Sequence, residues 1–380
     1  MVDAQHLLAF CESQQDWLLG TIESLVALES PTDDKRAVDQ CGAELSRRLA
    51  ALGASVTEVT TTTAGNHLRA EMGSGKRQVL LLGHFDTVWP VGQLGRMPLL
   101  RDGDVFRGPG IFDMKAGIAL GLLAGRALVR HGSLDRSRLV MLWTTDEETG
   151  SGTSRALVEA EARQSDAVLV LEPALPGGAL KTRRKGCGEY EVAVRGVAAH
   201  AGVDPGKGVS AIRELARQVL FIETLQDLTQ GVSLNVGLVE GGSRPNVVAA
   251  EARAIVDTRA PTLADAQRID RVMRSLRPHL KGATIEVSGG FSRPPMERTA
   301  GVARLYETAQ AAAADLGQEI GEGATGGGSD GNFCAALGVP TLDGLGAVGD
   351  GAHAIHEHVL VPALVPRAAL LARIIERLVA

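Results

Sequence analysis

Short continuous apolar runs alternate with longer stretches of helical spacing near both ends of this chain. QVLLLG (Gln78 to Gly83), RLVMLW (Arg138 to Trp143), AVLVL (Ala167 to Leu171) and VPTL (Val339 to Leu342) predict strands. Gly117 to Val129 has helical spacing with few breakers, and VLVPALVPRAALLARIIERLVA predicts a closing helix. Buried strands without polar alternation, separated by helices, indicate a largely parallel sheet covered on both faces. The expected fold is α/β, a mixed, largely parallel sheet flanked by helices.

The middle of the chain follows a different rhythm. GEYEVAVRG (Gly188 to Gly196) alternates with period two, and a helix-like stretch follows from Val209 to Leu225. VSLNVGLVEGG and NVVAAEARAIVDTRA predict two more strands, PTLADAQRIDRVMRSLRPHL a second helix, and ATIEVSGG a last strand. This β-α-β-β-α-β order is that of a ferredoxin-like sandwich. Residues 182–288 are therefore expected to form an α/β domain inserted into a larger one made of residues 1–181 and 289–380. No internal repeat is visible.

Composition narrows the function classes. The 380 residues suffice for two domains, and 44% apolar with 22% charged residues is ordinary for a globular protein. A net charge of −6 with both signs interspersed offers no basic face for nucleic acid, and aromatics at 3% argue against base stacking. The N-terminal MVDAQHLLAFCESQQDW does not read as a signal peptide, and no apolar run approaches the ~18 residues of a membrane span. The four cysteines are far apart, so free thiols in a cytoplasmic protein are expected.

The informative polar residues fall at strand ends, where open parallel sheets bind their ligands. LLLG is followed by His84 and Asp86, LVMLW by TTDEETGSG with Asp146, Glu147 and Glu148, and AVLVL by Glu172. Asp113 lies in the glycine-rich GPGIFDMKAG, and His353, His356 and His358 follow VPTL. Taken alone, a histidine after a strand reads as a cap and DEE as a solvated acidic turn. Their recurrence at successive strand ends makes a carboxylate and imidazole set suited to zinc, with cobalt or manganese also chemically suitable. Two such metals about 3.5–4 Å apart need a bridging carboxylate and would activate a shared water as hydroxide. One glutamate of the 147/148 pair would then be a ligand, and its neighbour a general base. TGGGSDGNF (Thr325 to Phe333) invites a phosphate-loop reading but lacks the lysine of a P-loop.

GHFDTV, GPGIFDMKAG, TTDEETGSGTS, LEP and TGGGSDGNF, with a late histidine, resemble the co-catalytic zinc aminoacylase/carboxypeptidase family. The resemblance spans nearly the whole chain and is strongest to the bacterial glutamate carboxypeptidases of the carboxypeptidase G type. It implies two zinc ions per subunit, with His84 and Glu172 on one, Glu148 and a late histidine on the other, and Asp113 bridging. Glu147 would be the base and proton shuttle, Asp86 would orient His84, and the Asp113–Met114 peptide would be cis. His353 fits the late ligand best, with Glu357 and Val359 behind it, and His356 is the alternative.

The same resemblance assigns substrate roles in the inserted domain, expected to be the dimerisation domain. His200 would reach a partner subunit's active site and steady the oxyanion, although alone it reads as a turn residue. Asn246 and Arg259 would hold the carbonyl and the carboxylate, the alternative for Arg259 being a strand-end salt bridge. Gly327 and Gly328 would line the site, and Arg293 and Lys181 would meet an acidic side chain or serve as surface cations. The chain is expected to be a cytoplasmic homodimeric metallocarboxypeptidase acting on small peptides or N-acyl amino acids, with glutamate the first choice of released residue. An N-acyl-amino-acid deacylase or dipeptidase is the second reading. A non-catalytic binding homologue is the third, opposed by the intact Glu147 and ligand set.

Overall fold

Strand Arg77–His84 is buried along all of its length but its first residue. Leu80 and Leu82 pack on one face with Val140, Leu142, Val158, Ala162, Val168 and Val170. Val79 and Leu81 join Leu139, Met141 and Trp143 on the other. Successive side chains of a strand point to opposite faces, so a sheet covered twice needs apolar residues at every position. That is why these runs read as continuous rather than alternating.

This is seen in a computed structural model that describes residues 3–135 and 137–379; Met1, Val2, Arg136 and Ala380 lie outside the described residues. The chain divides into two compact units, one of Met1–Thr182, Arg298–Ala324 and Ser329–Ala380, the other of Arg183–Glu297 with Thr325–Gly328.

The first unit is built on a six-stranded sheet ordered Ser55–Val59, His67–Gly73, Ser137–Thr144, Arg77–His84, Ala167–Val170, Thr341–Leu342. The last four run parallel to one another. His67–Gly73 opposes both of its neighbours, which makes the sheet mixed. Ser55–Val59 and His67–Gly73 lie outside the sequence expectation because SVTEV and HLRAEMG carry no apolar run. Helix Ala116–Arg130 is buried at nearly every position and shares one core with the closing helix Val361–Val379. Helix Arg155–Arg163 covers the other face through Val158 and Ala162. Among the described residues no helix is long and apolar enough to cross a membrane.

The second unit has the element order β-α-β-β-α-β, with helices Ala211–Glu223 and Leu263–Arg274. Its antiparallel sheet is ordered Ser233–Gly241, Glu251–Ala260, Gly186–Arg195, Thr284–Arg293. One face only is covered, so the strands alternate: Tyr190, Val192 and Val194 are buried between less buried neighbours. They meet Leu215, Ile222, Ile269 and Met273 in a core of their own.

Candidate metal centre

Parallel register brings the chemistry to one edge of the first sheet. His84 lies opposite Thr144, and Leu82 opposite Val170, so Asp86, the 146–148 turn and Glu172 all follow strands at that edge. Asp113 comes from a different element, the irregular turn Ile111–Lys115 ahead of helix Ala116–Arg130. Gly110 opens this turn at φ +69°, and the Asp113–Met114 peptide is cis.

Asp113 joins two groups of donors. His84 Nε2 is 3.2 Å from Asp113 Oδ1 and 3.5 Å from Glu172 Oε1. His353 Nε2 is 3.1 Å from Glu148 Oε2 and 3.6 Å from Asp113 Oδ2. Within each group, one ligand atom per residue lies within 4.8 Å of the others. His356 belongs to neither group. Imidazole nitrogens and carboxylate oxygens converging in two sets with one carboxylate in common fit two divalent cations.

The three adjacent acids of DEE are separated by their partners. Asp146 accepts from Thr153 N at 2.6 Å, Thr153 Oγ1 at 2.7 Å and Ser154 N at 3.3 Å. Burial opposes its ionisation, but the bonds from Ser154 and Thr153 outweigh that and hold its pKa low. Glu147 is buried and opens the single helical turn that also carries Glu148. Glu148 turns to His353. Its burial, with the nearby Asp113 charge, raises its pKa against the pull of both histidines.

The imidazoles answer this negative charge. Hydrogen bonding to Glu148 lifts His353 to about 9. Burial disfavours the charged form of His84, yet Asp113, Asp86 and Glu172 together raise its pKa well above the ordinary value. His84 Nδ1 lies 3.0 Å from the Asp86 carbonyl and 3.3 Å from its carboxylate, so main chain and side chain of Asp86 both orient the ring. Asp86 Oδ2 also accepts from Thr32 Oγ1 at 2.7 Å and Glu148 N at 3.3 Å, linking both ligand loops.

The substrate candidates of the second unit fall into two sets. His200 is exposed, its Nδ1 accepting from Gly202 N and Val203 N, both at 3.1 Å, as a turn residue does. Asn246 lies beside it, its carbonyl accepting from Ala201 N at 2.9 Å. Arg259, Arg293 and Gly328 gather around Cys187, and Gly327 precedes Gly328. Arg259 donates to both oxygens of Asp257, at 2.9 and 2.8 Å, and to Cys187 Sγ at 2.5 Å, so the strand-end salt bridge is present. A Cβ on Gly328 would lie 2.9 Å from Arg293 Cδ and 3.0 Å from Cys187 Sγ. Lys181, in the first unit, is buried. Sequence reasoning missed Arg184, whose Nη1 donates to the carbonyls of Gly327 at 3.1 Å and Gly328 at 3.0 Å. Only the cationic LKTRRKG run hinted at it.

Comparison with known proteins agrees with this chemistry. Carboxypeptidase G2 of Pseudomonas sp. (strain RS-16) is 32% identical over 373 residues, covering 95% of this chain and 89% of that protein. Succinyl-diaminopimelate desuccinylase of Burkholderia multivorans is 29% identical, covering 95% and 99%. The crystal structure of aminopeptidase PepT from Bacillus cereus superposes with a TM-score of 0.81 at 24% identity, over 96% of this chain and 99% of that one, which establishes the fold. Residues 80–377 match peptidase family M20/M25/M40. Shared fold, near full-length relatives and a candidate metal site make this chain a hydrolase of the metallopeptidase type, and it belongs to peptidase family M20/M25/M40.

Proposed function

We propose that the chain is a two-zinc carboxypeptidase that hydrolyses the amide bond before a free C-terminal residue, glutamate being the first choice. The observation that carries this reading is the shared Asp113 carboxylate, one oxygen toward each histidine, beside the turn of buried Glu147 and half-buried Glu148. His84 and Glu172 would hold one cation, Glu148 and His353 the other, and Asp113 both. Two zinc ions there, with cobalt or manganese as chemical alternatives, would supply Lewis acidity to a water and to the substrate carbonyl.

The chain's residues do the rest. Glu147 accepts a proton from the attacking water and returns it to the amide nitrogen as the C–N bond breaks. His200 and Asn246 donate to the oxygen that gains charge. Arg259 and Arg293 take carboxylates. Arg259 uses three of its N–H groups on Asp257 and Cys187, and a guanidinium carries five in a planar fork, so donors remain for a substrate. Gly327 and Gly328 let the backbone approach the ligand.

A homodimer through the second unit completes the reading. Ser233–Gly241 is an edge strand with Leu238 and Val239 exposed, and Leu220 and Phe221 are exposed on helix Ala211–Glu223. An unpaired edge bearing apolar side chains is suited to a second copy. Free cysteines at 11, 41, 187 and 334 support residence in the cytoplasm.

The 29% identity to a desuccinylase favours one second reading, an N-acyl-amino-acid deacylase. Amino-acid release by zinc-replete protein from matched N-acyl substrates ending in glutamate, alanine or leucine, with a chelated control, separates the two. Chelator-sensitive release favouring glutamate supports the carboxypeptidase. Preference for alanine or leucine moves the protein to the deacylases, and no release from any of them opposes both.

A further inference from the structure

The Glu357 carboxylate is fully buried and surrounded by donors. Its Oε2 accepts from Trp89 Nε1 at 2.8 Å and Gly110 N at 2.9 Å. Its Oε1 accepts from Phe112 N at 2.9 Å and Asp113 N at 3.1 Å. Four N–H groups pointing at two oxygens suit an ionised carboxylate, which accepts only. A buried anion without donors would be costly, so these bonds hold the donors as firmly as the donors hold it.

The donors come from separate segments. Trp89 lies five positions after His84 on the loop leaving that strand. Gly110, Phe112 and Asp113 form the irregular turn in which Asp113 and Met114 have non-helical backbone angles. Glu357 itself closes the turn of His353: its N–H donates to Ala354 O at 2.9 Å, and Ala354 N donates to Gly351 O at 2.8 Å. Gly351, at φ +85°, packs so closely that a Cβ there would be 2.9 Å from Glu357 Cα. His353 adopts φ +60°, a conformation few non-glycine residues hold without support.

We infer that Glu357 is a positioning residue that ties the loops of His84, Asp113 and His353 together and so sets the spacing of the two cation groups. It belongs to neither donor group. It acts through the Asp113 main chain, so that one carboxylate oxygen faces His84 and the other His353. The inference rests on the two-cation reading above.

The test is metal binding by chelated protein, followed by calorimetry and by the absorption spectrum of the cobalt form, in wild type, Glu357→Gln and Trp89→Phe. An amide keeps one accepting oxygen and sets its NH2 against N–H donors. Glu357→Gln is therefore expected to weaken the second cation about 10- to 100-fold and to alter the cobalt spectrum, in addition to lowering the melting temperature of the chelated protein, because buried donors lose their acceptor. Trp89→Phe removes one donor and leaves no buried anion unpaired, so it should shift both readouts the same way by less. It also stands in if Glu357→Gln does not fold. Wild-type affinity and spectrum in both variants would overturn the inference while leaving the two-cation site standing. A wild type that binds fewer than two cations would overturn the site and the inference together.

Discussion

His353 and Glu148, 205 positions apart in the chain, meet with Nε2 3.1 Å from Oε2. Only Asp113 is common to this pair and the His84 group. Replacing His353 with Ala should therefore remove about one metal per chain and spare the other. Elemental analysis of the purified variant decides this. His356→Ala, which disturbs neither group, should keep both, and the reverse pattern would reassign the ligand.

The same pairing predicts a pH dependence. A partner carboxylate raises His353 to about 9, so in chelated protein the imidazole is protonated at neutral pH. A cation and that proton compete for the nitrogen. Affinity of this group should rise with pH up to about 9 and level off above, with proton uptake by buffer below that point. An NMR titration placing His353 at its ordinary 6.5 would contradict the pairing.

Glu147→Gln keeps size and removes the basic oxygen. It should lower kcat about 100- to 10,000-fold with little change in KM, and leave the metal content intact. Full activity in this variant would shift the base to another group.

In the second unit, Gly328→Ala puts a methyl where Arg293 Cδ and Cys187 Sγ already sit, at 2.9 and 3.0 Å. Displacing Arg293 should raise KM for substrates ending in glutamate more than for those ending in leucine. An equal effect on both would remove Arg293 from side-chain recognition. If His200 serves a neighbouring subunit, mixing inactive His200→Ala with inactive Glu147→Ala chains should restore activity, and inactivity of verified mixed dimers would argue against it.

Leu82 lies between the strands on the face closed by Val158 and Ala162, with no exposed surface. Leu82→Ala should cost about 2–5 kcal/mol, the range for a buried leucine whose neighbours cannot collapse into the gap. Thermal or denaturant unfolding measures it.

What the sequence determined by itself is local. Continuous apolar runs such as LLLG and AVLVL specify strands covered on both faces, and GEYEVAVRG specifies one covered on a single face, because side chains alternate at each residue. Polar residues just past those runs, His84, Glu148 and Glu172, were legible as one edge of the sheet because parallel strands end on the same side. Strands without an apolar run, Ser55–Val59 and His67–Gly73, gave no such signal.

Tertiary structure alone decided which of three late histidines meets Glu148, that Arg184 holds the Gly327 and Gly328 carbonyls, and that Glu357 gathers Trp89, Gly110, Phe112 and Asp113. Each is a contact between segments far apart along the chain. Periodicity reports which face a residue occupies, and the partner it finds there depends on loop paths that only the packed whole brings together.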